Sequence, residues 1–333
     1  MNIGIIGYGY WGPNLLRNFS ETPGVNVLWC VDSRPARCEL ARKRYPSLAT
    51  TARIEDVLTD PRVDAVAIAT PVSTHYTLAK QALEHGKHVL VEKPMTRTVA
   101  EGEELVELAR RKGVLLMVDH TFIYTGAVKK TKALIESGEL GNLYYFDSVR
   151  VNLGLFQHDI DVLWDLAPHD LSILTHLIPE RPTHVTAVGS DHTGSGLVDV
   201  AYMTVHYADS FLAHFHVNWL SPVKVRQILI GGSRRMLVYD DMEPSEKVRL
   251  YDRGINVTTK EGIYKTLVDY RMGDMWAPKL DIREALAAEC EHIAQCVHEQ
   301  KTPQSDGQAG LSVVRLLEAA SKSMAAHGQR TAV

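Results

Sequence analysis

The first residues able to do chemistry are Gly7-Tyr8-Gly9-Tyr10-Trp11-Gly12, a GxGxxG run that can hold a dinucleotide. The run follows a strand-like stretch, Ile3–Ile6, and opens a helical pattern with Pro13 just inside it. The first glycine permits a tight turn. The second lets the backbone approach a pyrophosphate, and the third lets helix and strand pack closely. The helix N-terminus adds orphan N–H donors and the positive end of its dipole. Tyr10 and Trp11 fall inside the same turn. An acidic residue is expected about 20 positions on, and Asp32 fills that place at the end of the second strand-like run. Its carboxylate can accept from ribose hydroxyls and would repel a 2′-phosphate, which predicts NAD over NADP. Ser33 and Arg34 follow it, and an arginine there can accommodate the extra phosphate.

Glu92-Lys93-Pro94 closes another strand-like run. An ammonium at the carboxyl end of a parallel strand lies where α/β ligands bind. There it can stabilise an alkoxide as it develops; a surface lysine before a proline turn is the alternative. Asp165 and His169 stand at i and i+4. If a helix begins at Asp165, both share one face and Pro168 falls in the first turn. Asp165 can serve there as N-cap and as a substrate contact together. A helix N-terminus favours neutral histidine, the form a general base needs. His206, His214 and His216 suggest no metal, because no cysteine or carboxylate cluster is evident beside them.

These residues need elements to position them. Strand candidates are Ile3–Ile6, Val25–Val31, Ala65–Ala69, His88–Val91 and Leu115–Val118, with helical patterns at Asn14–Phe19, Ala36–Arg44, Thr74–His85 and Val99–Lys112. Such alternation predicts a doubly wound parallel sheet covered on both faces. After about residue 120 the pattern changes. One helix covers Gly126–Ser137, then strands dominate at Leu143–Asn152, His184–Ser190, Leu197–Tyr207, Ser210–Trp219, Lys224–Gly231 and Arg234–Tyr239. Ala213, Phe215, Val217 and Trp219 point to one side of their strand, and Leu212, His214, His216 and Asn218 to the other. Helices at Ile282–Gln300 and Gly307–Ala326 end the chain, while Asp240–Pro278 is poorly patterned. The expected fold class is α/β, an N-terminal doubly wound parallel sheet over 1–120, followed by an α+β domain with a large, mainly antiparallel sheet over 121–333.

Composition narrows the function classes. The 333 residues carry 36 basic and 40 acidic side chains, a net charge of -4. A mainly electrostatic nucleic-acid binder would show a basic excess. No stretch reaches the roughly 18 apolar residues of a membrane helix, and the start of the chain reads as a strand rather than a signal peptide. Cys30, Cys38, Cys290 and Cys296 match no common zinc spacing and read as reduced thiols in a cytoplasmic protein.

Several segments resemble the Gfo/Idh/MocA family of NAD(P)-dependent sugar oxidoreductases. They are the glycine run, Ala69-Thr70-Pro71-Val72-Ser73-Thr74-His75, Glu92-Lys93-Pro94, and Asp165-Leu166-Ala167-Pro168-His169-Asp170. The resemblance covers nearly the whole chain and implies a Rossmann fold at the N-terminus. It implies that Lys93 and His169 are catalytic with Asp165 orienting the substrate, and that the bond before Pro94 is cis. Thr70, Pro71, His75, Glu92, Lys93 and Pro94 are then expected near the cofactor. His120, Tyr124, Arg150, Asn152 and His158 become candidates for the sugar site, with packing roles the alternative for each. The end of the chain, Glu289-Cys290-Glu291-His292 to Gly310-Leu311-Ser312-Val313-Val314-Arg315, is similar to members acting on sugar nucleotides. Oxidation at C3 of a UDP-N-acetylhexosamine is the implied reaction, with a free sugar or inositol as the runner-up substrate. Lys129, Lys130, Arg150 and Arg226 are candidates to meet a diphosphate. A non-catalytic dinucleotide sensor is the reading from another class, and the joint presence of Lys93, Asp165 and His169 argues against it. Similar proteins pair through the second-domain sheet, so a homodimer or homotetramer is expected.

Overall fold

The computed structural model describes residues 1–154, 159–256 and 269–333. The chain divides into two compact units. The first joins Met1–Tyr124 with Arg283–Glu318, and the second joins Thr125–Ile282 with Ala319–Val333. The sequence reading placed everything after residue 120 in one domain. The difference is the stretch Arg283–Glu318, whose first helix, Ala285–Glu299, buries Leu286, Cys290 and Ile293 in the core of the first unit.

The first unit is built on a parallel sheet. Its strands are β1 (Asn2–Ile6), β2 (Asn26–Val31), β3 (Ala49–Thr51), β4 (Ala65–Ile68), β5 (His88–Glu92) and β6 (Leu116–Asp119), in the order β3-β2-β1-β4-β5-β6. Helices α1 (Gly12–Glu21), α2 (Pro35–Arg44), α3 (Glu55–Leu58), α4 (Val72–Glu84) and α5 (Val99–Lys112) connect them. The central strands read as continuous apolar runs because both faces are covered: Ile3, Ile5, Ala65–Ile68 and Val89–Val91 are all buried. Strand order reverses between β1 and β4, the point at which open α/β sheets bind ligands. The chain leaves the sheet through the 3-10 turn Thr121–Tyr124.

The second unit starts with α6 (Gly126–Glu136), β7 (Leu143–Leu153) and α7 (Val162–Leu177). Strands β8 (His184–Ser190), β9 (Val200–His206), β10 (Leu212–Asn218), β11 (Leu220–Gly232), β12 (Met236–Asp240) and β13 (Val248–Tyr251) follow. β14 (Gly254–Asn256) and β15 (Asp269–Arg271) pair with each other. With β16 (Met275–Trp276) and β17 (Thr331–Ala332), the main sheet runs β16-β13-β12-β11-β7-β10-β9-β8-β17. All its pairs are antiparallel except β7 with β10. The alternation expected in β10 is present: Ala213, Phe215 and Val217 are buried with Trp219, and Leu212 is exposed. Helix α7 packs on β10, β7 and β9 and buries Leu163, Ala167, Leu171 and Leu174. The last helix, Gly307–Ala325, ends at Ala325, close to the expected boundary.

Candidate active site

The glycine turn stands where β1 ends. Gly7 has φ +95°, a conformation that strains any residue with a side chain, and a Cβ there would lie 2.5 Å from the carbonyl oxygen of Ala69 after β4. A Cβ on Gly12 would meet the Gly7 oxygen at 2.0 Å, so the turn must fold tightly onto its own helix. Gly9 differs: its Cβ would meet only the Arg34 guanidinium, at 3.8 Å. That open side is where a pyrophosphate can approach the backbone. Pro13 sits in the first turn of α1, where a missing N–H costs little. The residues present fit a dinucleotide.

Asp32 is 6% exposed and already held. It accepts from Tyr8 N and Arg34 N, both at 2.9 Å, and from Arg34 Nε at 3.0 Å and Nη2 at 3.1 Å. Burial works to raise its pKa, but these hydrogen bonds and the guanidinium charge outweigh burial and hold it below the ordinary carboxylate value. Arg34 keeps its side chain 59% exposed while forming the pair. Tyr10 and Ser33 are exposed, and Trp11 donates its indole N–H to Asp119 Oδ2 at 2.7 Å.

The loop after β4 and the turn after β5 are joined by one histidine. His75 is buried, with Nδ1 2.9 Å from Pro94 O and Nε2 2.8 Å from Thr70 O. Helix α4 begins at Val72, with Pro71 in the capping position, and Thr74 Oγ1 donates to Thr70 Oγ1 at 2.7 Å. The Lys93–Pro94 peptide is cis. Glu92 accepts from Lys93 N at 2.9 Å, and burial followed by the nearby Asp119 charge raises its pKa well above the usual value. Lys93, Glu92, Pro94, Thr70 and His75 thus share the carboxyl end of the parallel sheet. Pro71 is exposed beside them.

Helix α7 begins earlier than the sequence reading placed it. Its N-cap is Asp161, whose carboxylate accepts from Trp164 N at 3.0 Å, so Asp165 lies in the first turn and is not the cap. Pro168 is inside the helix and His169 lies past the first turn, beyond the reach of the terminal dipole. The dipole argument for a neutral His169 therefore does not apply. Asp165 and His169 still share one helix face. Asp165 Oδ2 accepts the Trp219 indole N–H at 3.0 Å. Lys93 belongs to the first unit; Asp165 and His169 belong to the second.

The remaining candidates separate by burial. Arg150 is 2% exposed and grips Asp170 through Nε at 2.9 Å and Nη2 at 2.7 Å. Tyr124 is buried in the first unit, its hydroxyl 3.0 Å from Ser305 Oγ. These placements build both residues into packing. His120 is buried beside Lys93 and Asp119; burial pushes its pKa down to about 4, with Asp119 opposing and Lys93 assisting. Asn152 is half-buried on β7, and His158 lies outside the described residues. Lys129 and Lys130 are on α6, and Arg226 pairs with Asp241 at 3.5 Å. His214 does have a carboxylate beside it, Asp147 at 2.9 Å. Among the described residues no three His, Cys, Asp or Glu side chains are placed to hold a metal, and all four cysteines are free thiols. Sequence reasoning missed Asp119 and Trp219 as partners of site residues. The available signals were an acid ending the apolar run Leu116–Val118 and a tryptophan ending an alternating strand.

A parallel nucleotide-type sheet with a glycine turn at its switch point, followed by a mixed sheet unit, defines a two-domain dinucleotide oxidoreductase. Residues 1–120 match the oxidoreductase family with an NAD-binding Rossmann fold, and residues 128–238 match the GFO/IDH/MocA C-terminal domain. The chain belongs to the Gfo/Idh/MocA family. It is 27% identical over 322 residues to UDP-N-acetylglucosamine 3-dehydrogenase of Acidithiobacillus ferrooxidans, covering 94% of each chain. It is 24% identical over 316 residues to an NAD-dependent scyllo-inositol 2-dehydrogenase of Bacillus subtilis, covering 91% of this chain and 86% of that one. Among solved structures, UDP-N-acetylglucosamine 3-dehydrogenase GnnA of A. ferrooxidans superimposes with a TM-score of 0.83 at 24% identity, covering 98% of both chains. No helix among the described residues is long and apolar enough to cross a membrane.

Proposed function

We propose that the protein oxidises a ring hydroxyl of a UDP-sugar, at C3 of a UDP-N-acetylglucosamine-type substrate, with NAD as the acceptor. The observation that carries this reading is the likeness to UDP-N-acetylglucosamine 3-dehydrogenase along 94% of both chains. Bound NAD supplies the hydride acceptor. His169 takes the hydroxyl proton as general base, and the Lys93 ammonium stabilises the oxygen as negative charge builds on it. Asp165, oriented by Trp219, accepts from a neighbouring sugar hydroxyl. In the reverse reduction His169 returns the proton.

The likeness to an inositol dehydrogenase supports a second reading, a free sugar or inositol as substrate. Nicotinamide absorbance during incubation with NAD and a panel of both substrate classes separates them. Each substrate is run with and without 2-oxoglutarate, and products are identified by mass. A keto product from a UDP-hexosamine is the expected result; turnover of free sugars or inositols alone overturns the nucleotide-sugar reading.

In this reading a second copy of the chain covers the open face of the main sheet of the second unit. That face exposes Tyr145, Val188, Tyr202 and Leu212, an apolar grouping of the kind that marks interfaces. Replacing Tyr202 and Leu212 by glutamate should reduce the mass measured by light scattering to that of one chain. A wild-type monomer would count against the pairing.

A further inference from the structure

The His120 side chain is 2% exposed, and among the described residues neither of its ring nitrogens has a hydrogen-bond partner. Its backbone is fixed on both sides. The amide N–H donates to Val118 O at 2.8 Å, and the carbonyl accepts from Ile123 N at 3.0 Å. The neighbouring carboxylate is in use, since Asp119 accepts from Trp11 Nε1 at 2.7 Å on Oδ2 and from Thr121 Oγ1 at 2.5 Å on Oδ1. Buried polar side chains in folded proteins nearly always have a partner. A bare imidazole just past a strand end marks a place where a ligand completes the bonding.

Glu92 and Asp119 are the last partners in the register of β5 with β6. Lys93 and His120 are therefore the first residues beyond two adjacent strand ends, and such strands lie about 4.8 Å apart. The glycine turn reaches the same end of the sheet, because Trp11 bonds Asp119, the residue before His120. The strand order then separates the two halves of a dinucleotide. Asp32 follows β2, on one side of the reversal between β1 and β4. With the adenosine ribose on that side and the pyrophosphate at the glycine turn, the nicotinamide half extends toward the ends of β4, β5 and β6.

We propose, on the dinucleotide reading of the glycine turn and independently of the sugar, that His120 is a cofactor contact whose bare ring nitrogen accepts from the carboxamide NH2 of bound nicotinamide. The donor and acceptor types match. A neutral imidazole has one acceptor nitrogen and one N–H, and a carboxamide NH2 needs an acceptor. The ammonium of Lys93 has three donors and no acceptor, so it cannot take that role. Burial pushes the His120 pKa down to about 4, with Asp119 opposing and Lys93 assisting, so one ring nitrogen is bare near neutral pH. Holding the carboxamide fixes the orientation of the ring that takes the hydride, which is how a bound reactant is kept in a reacting geometry.

The test is calorimetric titration of the full chain with three ligands. They are NADH, its reduced acetylpyridine analogue, which has a methyl group in place of the amide NH2, and ADP-ribose, which has no nicotinamide. Wild type should bind the analogue about tenfold more weakly than NADH, roughly 1.4 kcal/mol. His120→Phe keeps a buried ring without the acceptor. It should bind NADH about tenfold more weakly than wild type does, bind NADH and the analogue alike, and hold ADP-ribose as wild type does. His120→Leu also lacks the acceptor and serves if the phenylalanine variant folds poorly. Equal wild-type affinity for NADH and the analogue overturns the proposal. So does an undiminished preference for NADH in whichever variant folds, or a loss of ADP-ribose binding equal to the loss of NADH binding. A raised substrate KM with unchanged NADH affinity gives His120 to the substrate and overturns it as well. A wild type that binds neither NADH nor ADP-ribose overturns the dinucleotide reading itself, whereas ADP-ribose bound without discrimination between NADH and the analogue overturns only the contact.

Discussion

The indole nitrogen of Trp219 donates to Asp165 Oδ2 at 3.0 Å, one helical turn before His169. Trp219 is 1% exposed and its main chain is fixed on both sides. Its N–H bonds Asp199 O at 3.0 Å, and its carbonyl accepts from Gly154 N at 3.4 Å. A Cβ on Gly154 would lie 3.1 Å from the indole ring, so the ring has little room to shift. A carboxylate held this way has a fixed orientation, which is what positioning a reacting group requires.

Trp219→Phe keeps a ring but deletes the donor. Losing a hydrogen bond to a charged group should cost about 1.5–3 kcal/mol of stability, read as a lower urea midpoint. If Asp165 orients substrate, KM should also rise, on the order of tenfold, with a smaller change in kcat. Unchanged kinetics alongside the stability loss would reduce the indole to a packing element.

Lys93→Ala should leave NADH binding close to wild type and lower kcat by about 10²–10³, the usual cost of removing one electrostatic stabiliser of a developing anion. Turnover is measured with the best substrate from the panel. A rate within a few-fold of wild type would falsify the role given to Lys93.

The Arg150–Asp170 pair makes a stability prediction at the residue after His169. Both side chains are buried and the contact is two-pronged. Breaking such a pair strands a buried charge, so Arg150→Met should destabilise by about 3–5 kcal/mol. The double variant Arg150→Met with Asp170→Leu should recover most of that loss, because neither charge remains. A double variant no more stable than the single one would show that packing geometry, rather than stranded charge, dominates.

How much of this was legible in the sequence varies with the range over which each feature is determined. The apolar runs at Ile3–Ile6 and His88–Val91 and the glycine turn are local signals, and the structure has them where periodicity put them. β3, Ala49–Thr51, was not legible, since three half-buried residues with two threonines carry no pattern. The start of α7 was misplaced because Asp161 and Asp165 are equally good caps by type, and only the bond to Trp164 N decides. The return of Arg283–Glu318 to the first unit depends on contacts between distant segments, which no local period encodes. Arg150 shows the converse: a lone arginine on a strand reads as a ligand contact until its buried partner is known.

The Asp32–Arg34 pair predicts opposite cofactor shifts for its two members. Asp32 is neutralised by a guanidinium that remains 59% exposed, so its repulsion of a 2′-phosphate is weakened and its partner can reach outward. Asp32→Ser frees Arg34 and removes the repelling carboxylate, so the ratio of kcat/KM for NAD over NADP should fall, by about tenfold for a change of roughly 1.4 kcal/mol. Arg34→Ala leaves Asp32 without its counter-charge, so the same ratio should rise. Because the pair is partly exposed, salt screens it, and both shifts should shrink at high ionic strength. Ratios moving in the same direction for the two variants would mean that the pair does not read the ribose and that specificity lies elsewhere along the turn.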